Sequence, residues 1–154
     1  MELYTIGAYG KGAEDFFGAL EKAGIEILVD IRRRRGIRGS GYAYANKTRL
    51  EQELAARGIR CVHLPQLAPP PELRRVQKQA DQAARTLKSE RQTLSPAFCE
   101  GYRAACLKNY TWDDFVRDVG GGESKVALFC VEGPASACHR SLVVEHFGRP
   151  ATHL

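Results

Sequence analysis

Two periods of apolar residues alternate along this chain. Short apolar runs occur at Glu2–Ile6, Ile25–Asp30, Ile59–Leu64 and Lys125–Val131. Between them, apolar residues return every three or four positions, as in Ala13, Phe16, Phe17, Leu20 and Ala23. The first pattern predicts strands and the second helices that bury one face. Ile25–Asp30 is almost continuously apolar with β-branched members, as expected of a strand covered on both faces.

Local signals mark the element ends. Gly24 stops the first helix, and Asn46 is expected to cap a helix running to about Arg57, which Gly58 ends. A longer helix is predicted from Pro70 to about Glu90, with Leu73, Val76, Ala80, Ala83, Ala84 and Leu87 on one side and Arg74, Lys78, Arg85 and Lys88 on the other. Ser95-Pro96 opens another, Thr111 caps a short one through Val119, and Gly120–Gly122 breaks it. The last helix is expected from Ala137 to Phe147, capped by Ser136, with a weak strand at Ala151–Leu154.

Strands alternating with helices predict an α/β fold: a mainly parallel sheet of about five strands with helices on both faces, a Rossmann-like three-layer arrangement. At 154 residues, without internal repeat or linker, the chain is expected to form a single domain over 1–154. Sheets of this kind bind ligands beyond the carboxyl ends of their strands. Gly7, Asp30, His63, Cys130 and Glu132 are predicted there.

Composition narrows the partners. No apolar run nears the roughly 20 residues of a membrane-spanning helix, so no membrane partner is expected. The first residues lack a basic and apolar leader, and five cysteines form no regular framework, so a cytoplasmic, reducing location is the default. Lys and Arg number 23 against 18 Asp and Glu, a net charge of +5. Nucleic acid or a nucleotide is therefore a plausible partner.

The charge is concentrated in residues 31–45, which show no apolar periodicity and read as a long basic loop. Arg32, Arg33, Arg34, Arg35 and Arg38 suit phosphate, and Tyr42 and Tyr44 suit stacking on bases. Gly7 and Tyr9, in the turn after the first strand, are candidate substrate contacts. The glycines at 7, 10 and 12 do not fit the dinucleotide spacing, and Glu14 and Asp15 already occupy the positive end of the helix that follows. The alternative for the arginines is a solvated loop paired with nearby carboxylates.

A second candidate centre is Cys130, Glu132, Cys138, His139 and Arg140. Cys130 and Glu132, two apart, are expected on one face of the strand end. Cys138, His139 and Arg140 are expected in the first turn of the last helix, where free N–H groups stabilise a thiolate or anion. Asp30 or Glu132 would serve as acid or base, with His139 as a helper and Arg32, Arg35 and Arg140 holding phosphate. The packing alternative has Cys130 in the core, Cys138 under the helix and Glu132 paired with Arg140. Zinc on Cys130, Cys138 and His139, with His63 or Cys61 as fourth ligand, matches no zinc spacing. No metal or cofactor is assigned from the sequence.

Thr5-Ile6-Gly7, Asp30-Ile31-Arg32, Cys130-Val131-Glu132 and Cys138-His139-Arg140 together resemble the family known as domain of unknown function 488. Arg34-Arg35-Gly36 through Tyr42-Ala43-Tyr44-Ala45-Asn46 resembles an arginine-rich branch of it. Many relatives carry a histidine and a serine after Thr-Ile-Gly and a proline after Asp-x-Arg. Ala8, Tyr9 and Arg33 stand at those places here. The resemblance implies an α/β fold with helices on both sides of the sheet, and no established activity. Three functions are expected to compete: an enzyme acting on a nucleotide or nucleic acid through the Cys/Glu/Arg centre, a non-catalytic nucleic-acid-binding module using the arginine loop, and a metal-stabilised interaction domain.

Overall fold

Five strands, β1 (Glu2–Gly7), β2 (Ile27–Asp30), β3 (Arg60–His63), β4 (Lys125–Cys130) and β5 (Ala151–His153), form one sheet in the order β3-β2-β4-β1-β5. All four pairings are parallel. They are seen in a computed structural model that describes residues 1–122 and 124–154. The expected α/β, Rossmann-like three-layer fold is therefore what the chain adopts.

Side chains of a strand alternate between faces, and two cores result. Ile27, Val29, Ile31, Val126, Leu128 and Cys130 face one, with Phe98, Tyr102, Phe115, Leu142 and Val143. These come from α4 (Pro96–Tyr102), α5 (Trp112–Val119) and α6 (His139–Phe147). Leu28, Ala127 and Phe129 face the other, against Phe16, Phe17 and Leu20 of α1 (Ala13–Ala23) and Leu50 and Leu54 of α2 (Lys47–Ala56). Among the described residues no helix is long and apolar enough to cross a membrane.

Several element ends depart from the sequence reading. Asn46 precedes α2 but does not cap it with its side chain, because its Oδ1 accepts instead from the Ile37 N–H at 2.7 Å. The expected loop at 31–45 closes with a 3-10 helix, Ser40–Ala45. The helix predicted to reach Glu90 is α3, Pro71–Ala83. Arg85 there adopts φ 52°, and the Thr86 N–H closes onto the Asp81 carbonyl in the manner of a left-handed helix stop. Leu87 continues the apolar period but is 64% exposed, so no burial was available to extend the helix. Helix α6 starts two residues late, with Cys138 at its N-cap in extended conformation. Ser136 lies in a preceding 3-10 turn and donates its hydroxyl to the Gln92 carbonyl. The caps at Ser95 and Thr111 hold, the latter as a reciprocal box with Asp114.

Candidate active site beside strand β4

The segment after β4 is drawn back over the end of β1. Ala8 and Tyr9 give their N–H groups to the Val131 carbonyl, and the Glu132 carbonyl passes so close to Gly7 that a Cβ there would lie 1.9 Å from its oxygen. Gly7, expected as a substrate contact, is required for this backbone crossing. Arg140, 1% exposed, fixes the same segment by donating Nη1 to the Glu132 carbonyl at 2.6 Å and Nη2 to the Gly133 carbonyl, while Nε reaches Thr5 Oγ1. All three of its nitrogens are engaged inside the protein, so it shapes the loop instead of offering phosphate a free edge.

That loop brings four electron-pair donors together. Cys130 Sγ lies 3.2 Å from Glu132 Oε2 and 4.0 Å from His139 Nδ1, and Cys138 Sγ lies 3.8 Å from the same Nδ1. His139 Nε2 is 3.3 Å from the Ile31 carbonyl, an acceptor, so Nε2 carries a proton and Nδ1 is the atom turned to both sulfurs. Glu132 Oε1 is held by Arg91 at 3.2 Å and Lys88 at 3.3 Å. Glu132 thus pairs with these two cations and not with the Arg140 side chain.

Electrostatics separate the two thiols. Burial raises Cys138, yet the neighbouring Cys130 thiol and His139 bring it to about 5. Cys130 is pushed well above the ordinary thiol range by the neighbouring Cys138, by burial and by Glu132. The pair therefore holds one thiolate and one thiol. Burial would lower His139, but the Cys138 charge raises it on balance. Burial would likewise raise Glu132, and Lys88, His139 and the Cys130 hydrogen bond outweigh it, leaving the carboxyl at about 2.

Cys130, Glu132 and His139 line a cavity of about 650 Å³, whereas Cys138 sits behind them, 1% exposed. Tyr9, Leu87, Leu94 and Phe98 supply its apolar wall. Around it stand Arg32, Arg33, Arg34, Arg38, Arg74, Lys78, Lys88 and Arg91, against two carboxylates, Asp81 and Glu132. Arg32, Lys88 and Arg91 are paired. Among the described residues Arg33, Arg34, Arg38, Arg74 and Lys78 have no carboxylate within salt-bridge reach. The basic loop and the basic side of α3, unconnected in sequence, meet at one opening.

Asp30 does not join this group. It is fully buried on the opposite sheet face, in register with Phe129, and accepts from Arg32 Nε and Nη2 and from Arg35 Nε, each at 2.8 Å. Arg35 also donates to Glu51 at 2.6 Å, and the Arg32 guanidinium stacks 4.5 Å from the Phe129 ring. An acid–base role for Asp30 and a phosphate role for Arg35 have no geometric basis here, because both are consumed by this internal network. His63 and Cys61, considered as metal ligands, are likewise elsewhere: His63 Nε2 meets the Arg32 carbonyl and Cys61 meets Arg35. Sequence reasoning missed Arg91, 7% exposed, which joins Asp81, the Ala137 carbonyl and Glu132. It lies in a stretch without periodicity, which offered no signal.

The family model described as Domain of unknown function DUF488 matches residues 12–147. The chain belongs to the DUF488 family. The match spans Asp30-Ile31-Arg32, Cys130-Val131-Glu132 and Cys138-His139-Arg140, while Thr5-Ile6-Gly7 precedes it. Neither the curated proteins nor the solved structures include one that matches this DUF488 chain.

Proposed function

We propose that this DUF488 protein is an enzyme acting on a nucleotide or nucleic acid, bound in the cavity beside β4 and transformed by the centre at Cys130, Cys138, His139 and Glu132. One observation carries the reading. Five cations with no carboxylate partner among the described residues, Arg33, Arg34, Arg38, Arg74 and Lys78, surround a concave site whose floor holds a cysteine, an imidazole and a buried carboxylate, with a second cysteine behind them. Unpaired cations around a pocket favour a multiply charged anion, and the apolar wall at Tyr9, Leu87 and Phe98 suits a base. Reactive groups at the bottom of such a site are placed to meet the bound ligand.

In this reading Arg33, Arg34 and Arg38 hold phosphate, Tyr9 contacts the base, and Glu132 and Cys130 face the reacting atoms. Arg140 and Gly7 position the loop. The test is equilibrium binding of mononucleotides and single-stranded oligonucleotides at rising salt, followed by a turnover screen. Binding should weaken steeply with salt, and Glu132→Gln should bind as the wild type does while losing turnover. No binding at low salt would end the proposal, and so would a Glu132→Gln protein as active as the parent.

A further inference from the structure

We propose that Cys130 Sγ, Cys138 Sγ and His139 Nδ1 form a three-ligand site for a soft divalent cation, zinc foremost, at the cavity floor. Its fourth position faces the cavity beside Glu132. The three atoms lie within 4.8 Å of one another and all three residues are buried.

Three observations support this. First, distances: with zinc–sulfur near 2.3 Å and zinc–nitrogen near 2.0 Å, the edges of a tetrahedral shell are about 3.6 Å. The edges to Nδ1 are 3.8 and 4.0 Å, within a few tenths of an ångström of that value, and the two sulfurs lie no more than 4.8 Å apart. Second, orientation: the far ring nitrogen, Nε2, is tied to the Ile31 carbonyl, which leaves Nδ1 to the sulfurs. Metal-bound histidines are oriented in this way by a backbone or carboxylate acceptor. Third, charge: Arg91 and Lys88 both bind Glu132 Oε1, and a metal that displaces the Cys130 proton would meet two sulfurs and this carboxylate. Glu132 Oε2 accepts from the Cys130 thiol at 3.2 Å, so the carboxylate stands beside the sulfur that would give up its proton to the metal.

Sequence spacing gave no zinc motif, because the sulfurs come from a strand end and a helix cap eight residues apart, joined by a loop that Gly7 and Arg140 hold in place. A donor set of one histidine and two cysteines beside a non-ligating glutamate also serves zinc enzymes that hydrolytically deaminate nucleobases. The inference thus deepens the reading above, although metal binding itself stands on geometry alone.

The experiment is elemental analysis of the full chain, purified untagged and without chelator, followed by exchange into cobalt. We expect about one metal per chain, a sulfur-to-cobalt charge-transfer band, and four-coordinate visible bands. Cys138→Ser should lose the band. Should that variant fail to fold, the wild type still decides: alkylation of Cys130 and Cys138 should be slow until a chelator is added. Metal-free protein whose reduced form gives no cobalt band overturns the proposal. So does a Cys130–Cys138 disulfide in the isolated protein, or alkylation indifferent to chelator. Nucleotide binding measured on the same samples separates the two readings. Lost metal with retained binding removes only the zinc, and retained metal without binding removes only the nucleotide.

Discussion

Two buried clusters of charge sit at the carboxyl ends of neighbouring strands, one beyond β2 and one beyond β4, and they differ in whether their partners are complete. Asp30 is closed in by Arg32 and Arg35, and its carboxylate makes four hydrogen bonds with them, counting the Arg32 N–H. The Cys130 cluster is open: sulfur, imidazole and carboxylate lone pairs face each other, and three of its members reach the cavity. Register explains the separation. Asp30 pairs with Phe129, so its side chain points to the α1–α2 face, whereas Cys130 points to the α4–α6 face. The Asp30 carboxylate is saturated and stabilises the fold, although Arg32 Nη1 lies buried without a hydrogen-bond partner among the described residues, whereas the Cys130 cluster keeps lone pairs available for chemistry.

The sharpest way to break this contrast is Asp30→Ala. It leaves Arg32 buried without its anion and Arg35 with Glu51 alone, and breaking a buried pair in this way typically costs about 3 to 5 kcal/mol. Denaturant unfolding should show that loss, with cysteine alkylation in the remaining folded protein unchanged. Acid tests the same link. Burial raises the Asp30 carboxyl, but its bonds to Arg32 and Arg35 hold it below the ordinary 3.8. A depressed carboxylate contributes stability that is complete above its unfolded pKa and is lost as pH falls through the folded one. Stability should therefore drop below about pH 4. Asp30→Asn should flatten that limb, and an unchanged slope would assign acid sensitivity to the other face.

The next effect in size joins the two ends of the open cluster. Gly7→Ala places a methyl against the Glu132 carbonyl, and forced overpacking of this kind costs about 1 to 3 kcal/mol. Because the displaced atom is backbone, the 131–133 segment must move, and Cys130, Glu132 and His139 lose their mutual distances. The variant should fold less stably and also alkylate faster at Cys138. A stable protein with unaltered thiol reactivity would show that the crossing is not what assembles the site.

Both networks were foreshadowed in the sequence to different depths. Strand positions, the parallel sheet and the caps at Ser95 and Thr111 were legible because apolar period and cap chemistry are local. The meeting of Cys130, Glu132, Cys138 and His139 was legible from C-x-E followed by C-H-R after a strand. Its environment was not: Arg91 arrives from a non-periodic stretch freed by the early stop of α3 at Ala83, and Glu132 acquires its partners there instead of at Arg140. Asp30 was grouped with the cysteines because strand ends were treated as one place. Two-residue alternation, applied between β2 and β4 once their register is known, sends it to the other face.

Lys88→Met makes a smaller change, because Lys88 is half exposed and solvent screens its pair with Glu132. Stability should fall by less than about 1 kcal/mol. Lys88 is nevertheless the leading attraction that depresses Glu132, so the Glu132 titration, followed by carboxyl NMR, should move up from about 2 toward its ordinary value.

The smallest effect on the fold belongs to the cavity rim, and it is the one that separates binding from architecture. Arg33→Gln, Arg34→Gln and Arg38→Gln remove cations that hold no carboxylate among the described residues, so each should change stability by no more than about 0.5 kcal/mol. If these cations meet phosphate, each substitution should weaken nucleotide binding and lower its salt slope by about one ion. Arg35→Gln supplies the contrast from the same loop. Arg35 is bonded to Asp30 and Glu51, so its loss should register in unfolding and leave the salt slope unchanged. The opposite pattern, with Arg35 setting the slope and Arg33, Arg34 and Arg38 setting stability, would mean that the buried pairs open on binding, and the division between a closed network and an open one would fail.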